Sequence, residues 1–269
     1  MGIAADIAAD WDAALAALAW QLDAGVDEAL SDTPVDRYGL PEAQPAPRPA
    51  AAAPAARPRA PAPGPVRAAL DPVAAATAAA AAARSLEDLR EAVSAFDLCE
   101  LKKGARNTVF SDGNPAARLL ILGEAPGRDE DIAGRPFVGR AGQLLDRMFA
   151  AIGLSRQSPD AESALYITNV MFWRPPGNRD PDPAEIAMMK PFVLRHIELA
   201  DPQLIVVMGN TPLFALTGHR GILRARGNWT EAAGRPMLPM THPAYLLRNP
   251  AAKREAWADL LAVRDRLRG

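Results

Sequence analysis

The chain has 269 residues, 49% of them apolar, and a formal net charge of −2. Much of the apolar share is alanine, which limits the usable core and allows one large domain or two small ones. A single cysteine, Cys99, excludes a disulfide scaffold and leaves a Cys-ligated metal site without its ligands.

Residues 1–84 carry 6 Arg against 10 Asp and Glu, whereas residues 85–269 carry 24 Lys and Arg against 22 Asp and Glu. Neither half has a strong positive field, so any nucleic-acid contact would rest on local arginines. No uncharged apolar run reaches the roughly 18 residues of a membrane span. The expectation is a cytoplasmic protein without a membrane anchor.

Residues 5–30 space Ile7, Trp11, Leu15, Leu18 and Leu22 as one helical face. Such a helix is either a solvated element or a docking helix for a protein partner. Between Pro45 and Pro72 stand nine prolines among alanines and arginines, the composition of a semi-rigid linker. The alanine run 73–83 has helix propensity but nothing large to bury. These features divide the chain into a helix and tail over 1–43, a linker over 44–84 and a globular domain over 85–269, with the N-terminal arm expected to be disordered.

Ser85 is placed to cap a helix running through Phe96. Apolar runs at 118–122, 164–168, 203–208 and about 237–240 read as strands, and amphipathic stretches at 141–153, 183–199, 209–217 and 250–267 as helices. Four buried strands alternating with helices predict a four-stranded parallel sheet in a three-layer αβα sandwich. Ligands of such sheets collect at the carboxyl ends of the strands. The loops that follow strands, 123–139, 169–181 and 241–249, therefore aim at one edge.

The first loop, GEAPGRDEDIAGRPFVG, is rich in glycine but holds Glu124, Asp129, Glu130 and Asp131. It lacks the Gly-Lys-Ser/Thr of a phosphate loop and the GxGxxG of a dinucleotide turn. A neutral, planar, donor-bearing ligand fits better, with Phe137 as a stacking face. The second loop starts at Asn169, whose amide offers a donor and an acceptor to a base edge. Its prolines and Gly177 set a fixed path that presents Arg174 and Arg179 to phosphates. The third loop, THPAYLLRNP, puts His242 at a strand end before Pro243, followed by Leu246, Leu247 and Arg248. A leucine there would serve as a wedge into a base stack or as packing beneath the last helix. Of the other histidines, His196 reads as structural and His219 carries no assignment.

GEAPGRDED with GRPFVGRAGQLL, then YITNV with RPPGNRDP, then HPAYLLRNP resemble the thermophile-type (family 4) uracil-DNA glycosylases, over about residues 96–250. The resemblance implies excision of uracil from DNA by base flipping, on a glycosylase-like α/β sandwich. It implies that Phe137 stacks on the base, that Asn169 reads its edge beside Ala125, and that His242 donates to uracil O2. Leu246 or Leu247 would fill the gap in the stack. Glu124 and Glu130 are the candidates for holding the attacking water, with Glu130 near uracil C5. In the enterobacterial-type enzymes an Asp follows the residue matching Glu124; here that place is Ala125. Family 4 also holds a four-iron cluster on four cysteines, and the matching positions here are Phe96, Cys99, Trp173 and Met189. Cluster binding is not expected, and these side chains should instead form a small apolar plug. Two other readings stay open: a catalytically idle DNA-binding relative that recruits repair or replication factors, and a glycosylase for another deaminated base such as hypoxanthine or xanthine. The enzyme would act as a monomer on uracil-containing DNA.

Overall fold

The computed structural model describes residues 71–268, with Leu15 alone before them. The rest of the 5–30 stretch and the proline-rich segment up to residue 70 lie outside the described residues. The chain divides into two units, Met1–Gly64 and Pro65–Gly269, and the sheet belongs to the second.

The four apolar runs form parallel strands, β2 (Leu119–Gly123), β3 (Tyr166–Asn169), β4 (Leu204–Met208) and β6 (Arg235–Met240). Two short strands that sequence reading missed, β1 (Ser111–Gly113) and β5 (Thr230–Ala232), add antiparallel edges. The sheet is thus six-stranded and mixed, in the order β1-β3-β2-β4-β6-β5, where four parallel strands were expected. Both edge strands are polar and three residues long, so they carry no apolar signal, and short polar edges resist pairing with another chain.

Alternate residues of the buried strands feed opposite faces. Leu120, Leu122, Ile205, Val207 and Met237 pack with one helix layer, whereas Leu119, Ile121, Val206, Met208 and Leu238 pack with the other. The first layer holds α1 (Pro72–Ala82), α2 (Leu86–Ala95), the four-residue α3 (Leu101–Gly104), α6 (Pro183–Ala200) and α7 (Asn210–Thr217). The second holds α5 (Arg140–Ala150) and α10 (Lys253–Arg268). Ser85 caps α2 through a reciprocal capping box with Asp88.

Helix α1 corrects the linker boundary at 84. Ala76 and Ala80 are buried against α6, and Arg195 of that helix donates to Ala83 O at 3.0 and 2.7 Å. Small side chains let the two helices approach closely, which supplies the packing that an alanine run lacks by itself. The folded unit therefore extends N-terminal of Ser85 at least to Asp71, whose carboxylate caps α1.

Register sets the position of the site. Gly123 pairs with Asn169, Leu122 with Val207, and Met208 with Met240. The carboxyl ends of the parallel strands are level, so the segments that leave them emerge side by side.

Candidate active site

A cavity of about 670 Å³ opens at those strand ends. Its walls include Glu124, Ala125, Glu130 and Phe137 from the segment after β2, and Asn169 from the end of β3. Thr211 and Arg220 follow β4, and Thr241, His242 and Arg248 follow β6. The size lies within the range of small-molecule pockets.

The carboxylates of the first loop separate into two kinds. Glu130, in the short helix α4 (Arg128–Ala133), accepts backbone N–H bonds from Gly127 (3.1 Å), Val138 (2.9 Å) and Gly139 (2.9 Å). Asp131 accepts from the backbone N–H of Arg106 and Asn107 at 2.8 and 3.2 Å. Both are buried, and both shape backbone. Three of the roughly four lone-pair sites of the Glu130 carboxylate are thus committed to backbone. Glu124 differs. Its only protein partner among the described residues is the Thr211 hydroxyl, which donates at 2.6 Å, and burial raises its pKa above the usual carboxylate value.

Phe137 is buried, with its backbone at φ 55° in the left-handed region, a strained setting for an aromatic residue. Arg156 holds it there, donating to the carbonyls of Pro136 (2.8 Å) and Phe137 (2.9 Å) while pairing with Asp112 (3.0 Å) and Asp146 (2.8 Å). A side chain at Gly142 would collide with the Phe137 carbonyl, and one at Gly123 with both the Phe137 ring and Asn169 Oδ1. These two glycines set the close packing of ring and amide. Sequence reading missed Arg156 and Thr211, since each lies outside the motif that it supports.

Asn169 is 2% exposed and its Oδ1 has no partner, as is also true of the buried Thr241 hydroxyl in the same cavity. An unpaired buried acceptor is costly unless a ligand meets it. His242 caps α9 (Pro243–Arg248), its Nδ1 accepting from the Ala244 N–H at 3.1 Å. Because that N–H can only donate, Nδ1 is unprotonated and the neutral ring carries its proton on Nε2. Burial, aided by the Arg248 charge, lowers the His242 pKa to about 4, so the neutral form prevails near pH 7. The ring stacks on Phe137 with centroids 5.4 Å apart.

The expected DNA-facing residues do not behave alike. Leu246, one of the two candidate wedges, is 1% exposed and lines an apolar cavity of about 180 Å³ with Leu144, Met148 and Leu260. Leu247 is half-buried and Arg248 is exposed at the cavity mouth. Arg179 is engaged in a bidentate pair with Glu185 (2.7 and 2.9 Å), which competes with phosphate. The Arg174 Nε donates to Asn178 Oδ1 at 2.7 Å. His196 is fully buried and bonded to the Tyr166 hydroxyl at 2.8 Å, a core role.

Phe96, Cys99, Trp173 and Met189 are all buried in one hydrophobic cluster. Phe96 meets Phe192 edge-on at 5.3 Å, and Trp173 Nε1 donates to the Thr108 hydroxyl at 3.1 Å. Burial pushes the Cys99 thiol up. A phenyl ring, an indole, a thioether and one protonated thiol do not fit an iron–sulfur cluster, which needs thiolates.

The family model described as the uracil DNA glycosylase superfamily matches residues 110–261. A type-4 uracil-DNA glycosylase of Thermotoga maritima is 40% identical over 61% of this chain and 84% of its own length. Those of Archaeoglobus fulgidus and Sulfurisphaera tokodaii are 38% and 36% identical, over 66% and 67% of this chain and 92% and 84% of theirs. The chain therefore belongs to the uracil-DNA glycosylase superfamily and is similar to its type-4 members.

Proposed function

We propose that the chain is a monofunctional uracil-DNA glycosylase, hydrolysing the bond between uracil N1 and deoxyribose C1′ to leave an abasic site. The observation that carries this reading is the pairing of a neutral His242, proton on Nε2, with the unpartnered amide oxygen of Asn169 in one cavity. The flipped uracil stacks on Phe137. Asn169 Oδ1 accepts from uracil N3–H and its amide N–H donates to O4, which also relieves the unpaired acceptor. As the N1–C1′ bond breaks, its electron pair moves into the uracil ring and charge grows on O2. His242 Nε2–H donates to that oxygen where little water screens it. The carboxylate of Glu124, oriented by Thr211, faces the cationic sugar and holds the water that attacks C1′; the water's proton leaves through Glu124. Glu130 supports this chemistry by fixing the loop between Gly127 and Gly139. Ala125 lines the base pocket, and Arg248 with Leu247 meets the DNA strand.

In place of a metal cluster, the buried Phe96, Cys99, Trp173 and Met189 brace the segment that leads away from Asn169, and no step passes through iron. Among the described residues no helix is long and apolar enough to cross a membrane. A cytoplasmic monomer, with the 5–30 stretch docking a protein partner, completes the reading.

The test is base release from oligonucleotides carrying uracil, hypoxanthine, xanthine or a G·T mismatch. Release of uracil above the others is expected. No release from any of them would favour the idle relative, and preferential release of a purine would move the specificity.

A further inference from the structure

With Leu246 buried, the half-buried Tyr245 and Leu247 are the large side chains of the third loop left to support an opened base stack. The segment after α7 presents a different apolar side chain to the same cavity. Leu223, in the one-turn helix α8 (Ile222–Ala225), lines the cavity and is 58% exposed, the highest exposure among the large apolar residues there.

A single exposed leucine is ordinary and by itself means nothing. Three further observations set this one apart. The backbone beneath it is clamped: Asn210 Oδ1 accepts from the N–H groups of Gly221 (3.0 Å) and Ile222 (2.9 Å), and Ile222 is buried. The side chain is thus held out at the rim on a fixed support. Two residues before Ile222, Arg220 is laid over the Phe214 ring at 4.5 Å and also lines the cavity. Among the described residues no carboxylate lies within ion-pair distance of Arg220, Arg224 or Arg248, whereas Arg179 nearby is fully paired. Arg220 and Arg224 therefore flank the exposed leucine without a salt-bridge partner, and Arg220 lines the same cavity as Arg248, where its charge also acts on Glu124.

We propose that residues 218–225 form a second DNA-contacting element, in which Leu223 inserts into the base stack beside the flipped uridine and Arg220 contacts a flanking backbone phosphate. The proposal rests on the glycosylase reading above. An apolar wedge between base steps recovers buried surface while the duplex kinks around it, and a phosphate contact releases a condensed counterion. The wedge matters only where a stack has to be opened, so its signature is a difference between duplex and single-stranded substrate.

The experiment uses the full chain and its Leu223→Ala, Leu223→Met and Arg220→Gln variants. Single-turnover uracil release is measured on matched single-stranded and duplex oligonucleotides, with 2-aminopurine next to uracil reporting unstacking. Leu223→Ala should lower the duplex-to-single-strand rate ratio about tenfold and blunt the 2-aminopurine signal, and Leu223→Met should restore both. Arg220→Gln should reduce the slope of log affinity against log salt by about one, on uracil-containing and undamaged DNA alike. An unchanged rate ratio for Leu223→Ala, or equal losses on both substrates, would overturn the wedge. An unchanged salt slope would remove the phosphate contact. Absence of uracil release by the parent chain on either substrate would defeat the glycosylase reading itself, an outcome distinct from these.

Discussion

Asn169 and Trp173 stand four residues apart, yet they belong to regions built on opposite principles. Around Trp173 the side chains are apolar and buried, and the one polar atom of the indole has its partner in Thr108. Around Asn169 the fold buries an amide oxygen and a threonine hydroxyl with no partner and holds Phe137 at a strained backbone angle. The first region contributes stability. The second gives up stability for interactions that a ligand completes, the usual character of a functional site. The two are joined by one continuous segment.

The comparison predicts that damage to the first region appears in stability and damage to the second in rate. Trp173→Ala should show the largest effect, a loss of roughly 3–5 kcal/mol in denaturant unfolding, as large-to-small core changes do. If the loss were under about 1 kcal/mol, the plug would not be a core.

His196 is the exception within the stable region: it is fully buried, and burial lowers its pKa from 6.5 to about 3. The unfolded chain binds a proton that the folded chain refuses, so stability is complete above about pH 6.5 and falls as pH drops towards 3, by roughly 1.4 kcal/mol per pH unit at most. Unfolding midpoints across this window should fall less steeply for His196→Gln. Identical slopes in the two proteins would assign the acid sensitivity to other groups, His242 among them.

Thr211→Val sharpens the comparison from the side of the site. The Thr211 hydrogen bond holds down a Glu124 pKa that burial raises. Without it the carboxyl should titrate higher, so the acid limb of the pH–rate profile should move to higher pH, by the worth of a hydrogen bond to a charged group. Thr211→Ser should restore the profile. An unshifted limb would separate Thr211 from Glu124 in function.

Cys99→Ser should have the smallest effect on the reaction. A buried hydroxyl in an apolar cluster costs about 1–3 kcal/mol of stability, while the excision rate per folded molecule should match the parent. A matching loss of rate would show that the plug region does more than support.

The same two regions were unequally legible in the sequence. The parallel strands could be read because each is a continuous apolar run buried on both faces, and the three motifs mapped to strand ends that the register makes level. The edge strands Ser111–Gly113 and Thr230–Ala232 could not be, since three polar residues carry no period. Helix Pro72–Ala82 was read as linker because alanine stability comes from a partner helix that sequence alone does not supply. Glu124 and Glu130 look alike in GEAPGRDED and both line the cavity, yet one has a single hydroxyl partner and the other accepts from three backbone N–H groups. That distinction depends on where the loop folds back, a tertiary fact. Leu246 and Leu247 pose the same problem, as adjacent leucines of which the short helix buries one.

The central claim is that a neutral His242, with its proton fixed on Nε2, stabilises uracil as it leaves. Single-turnover uracil release by His242→Ala, on a single-stranded oligonucleotide so that base flipping contributes least, tests this most directly. The account predicts a rate lower by roughly 10²–10³-fold, the worth of one preorganised donor to a developing anion, with unfolding little changed. A rate within about threefold of the parent would contradict it, because a donor essential to that charge could not be lost so cheaply.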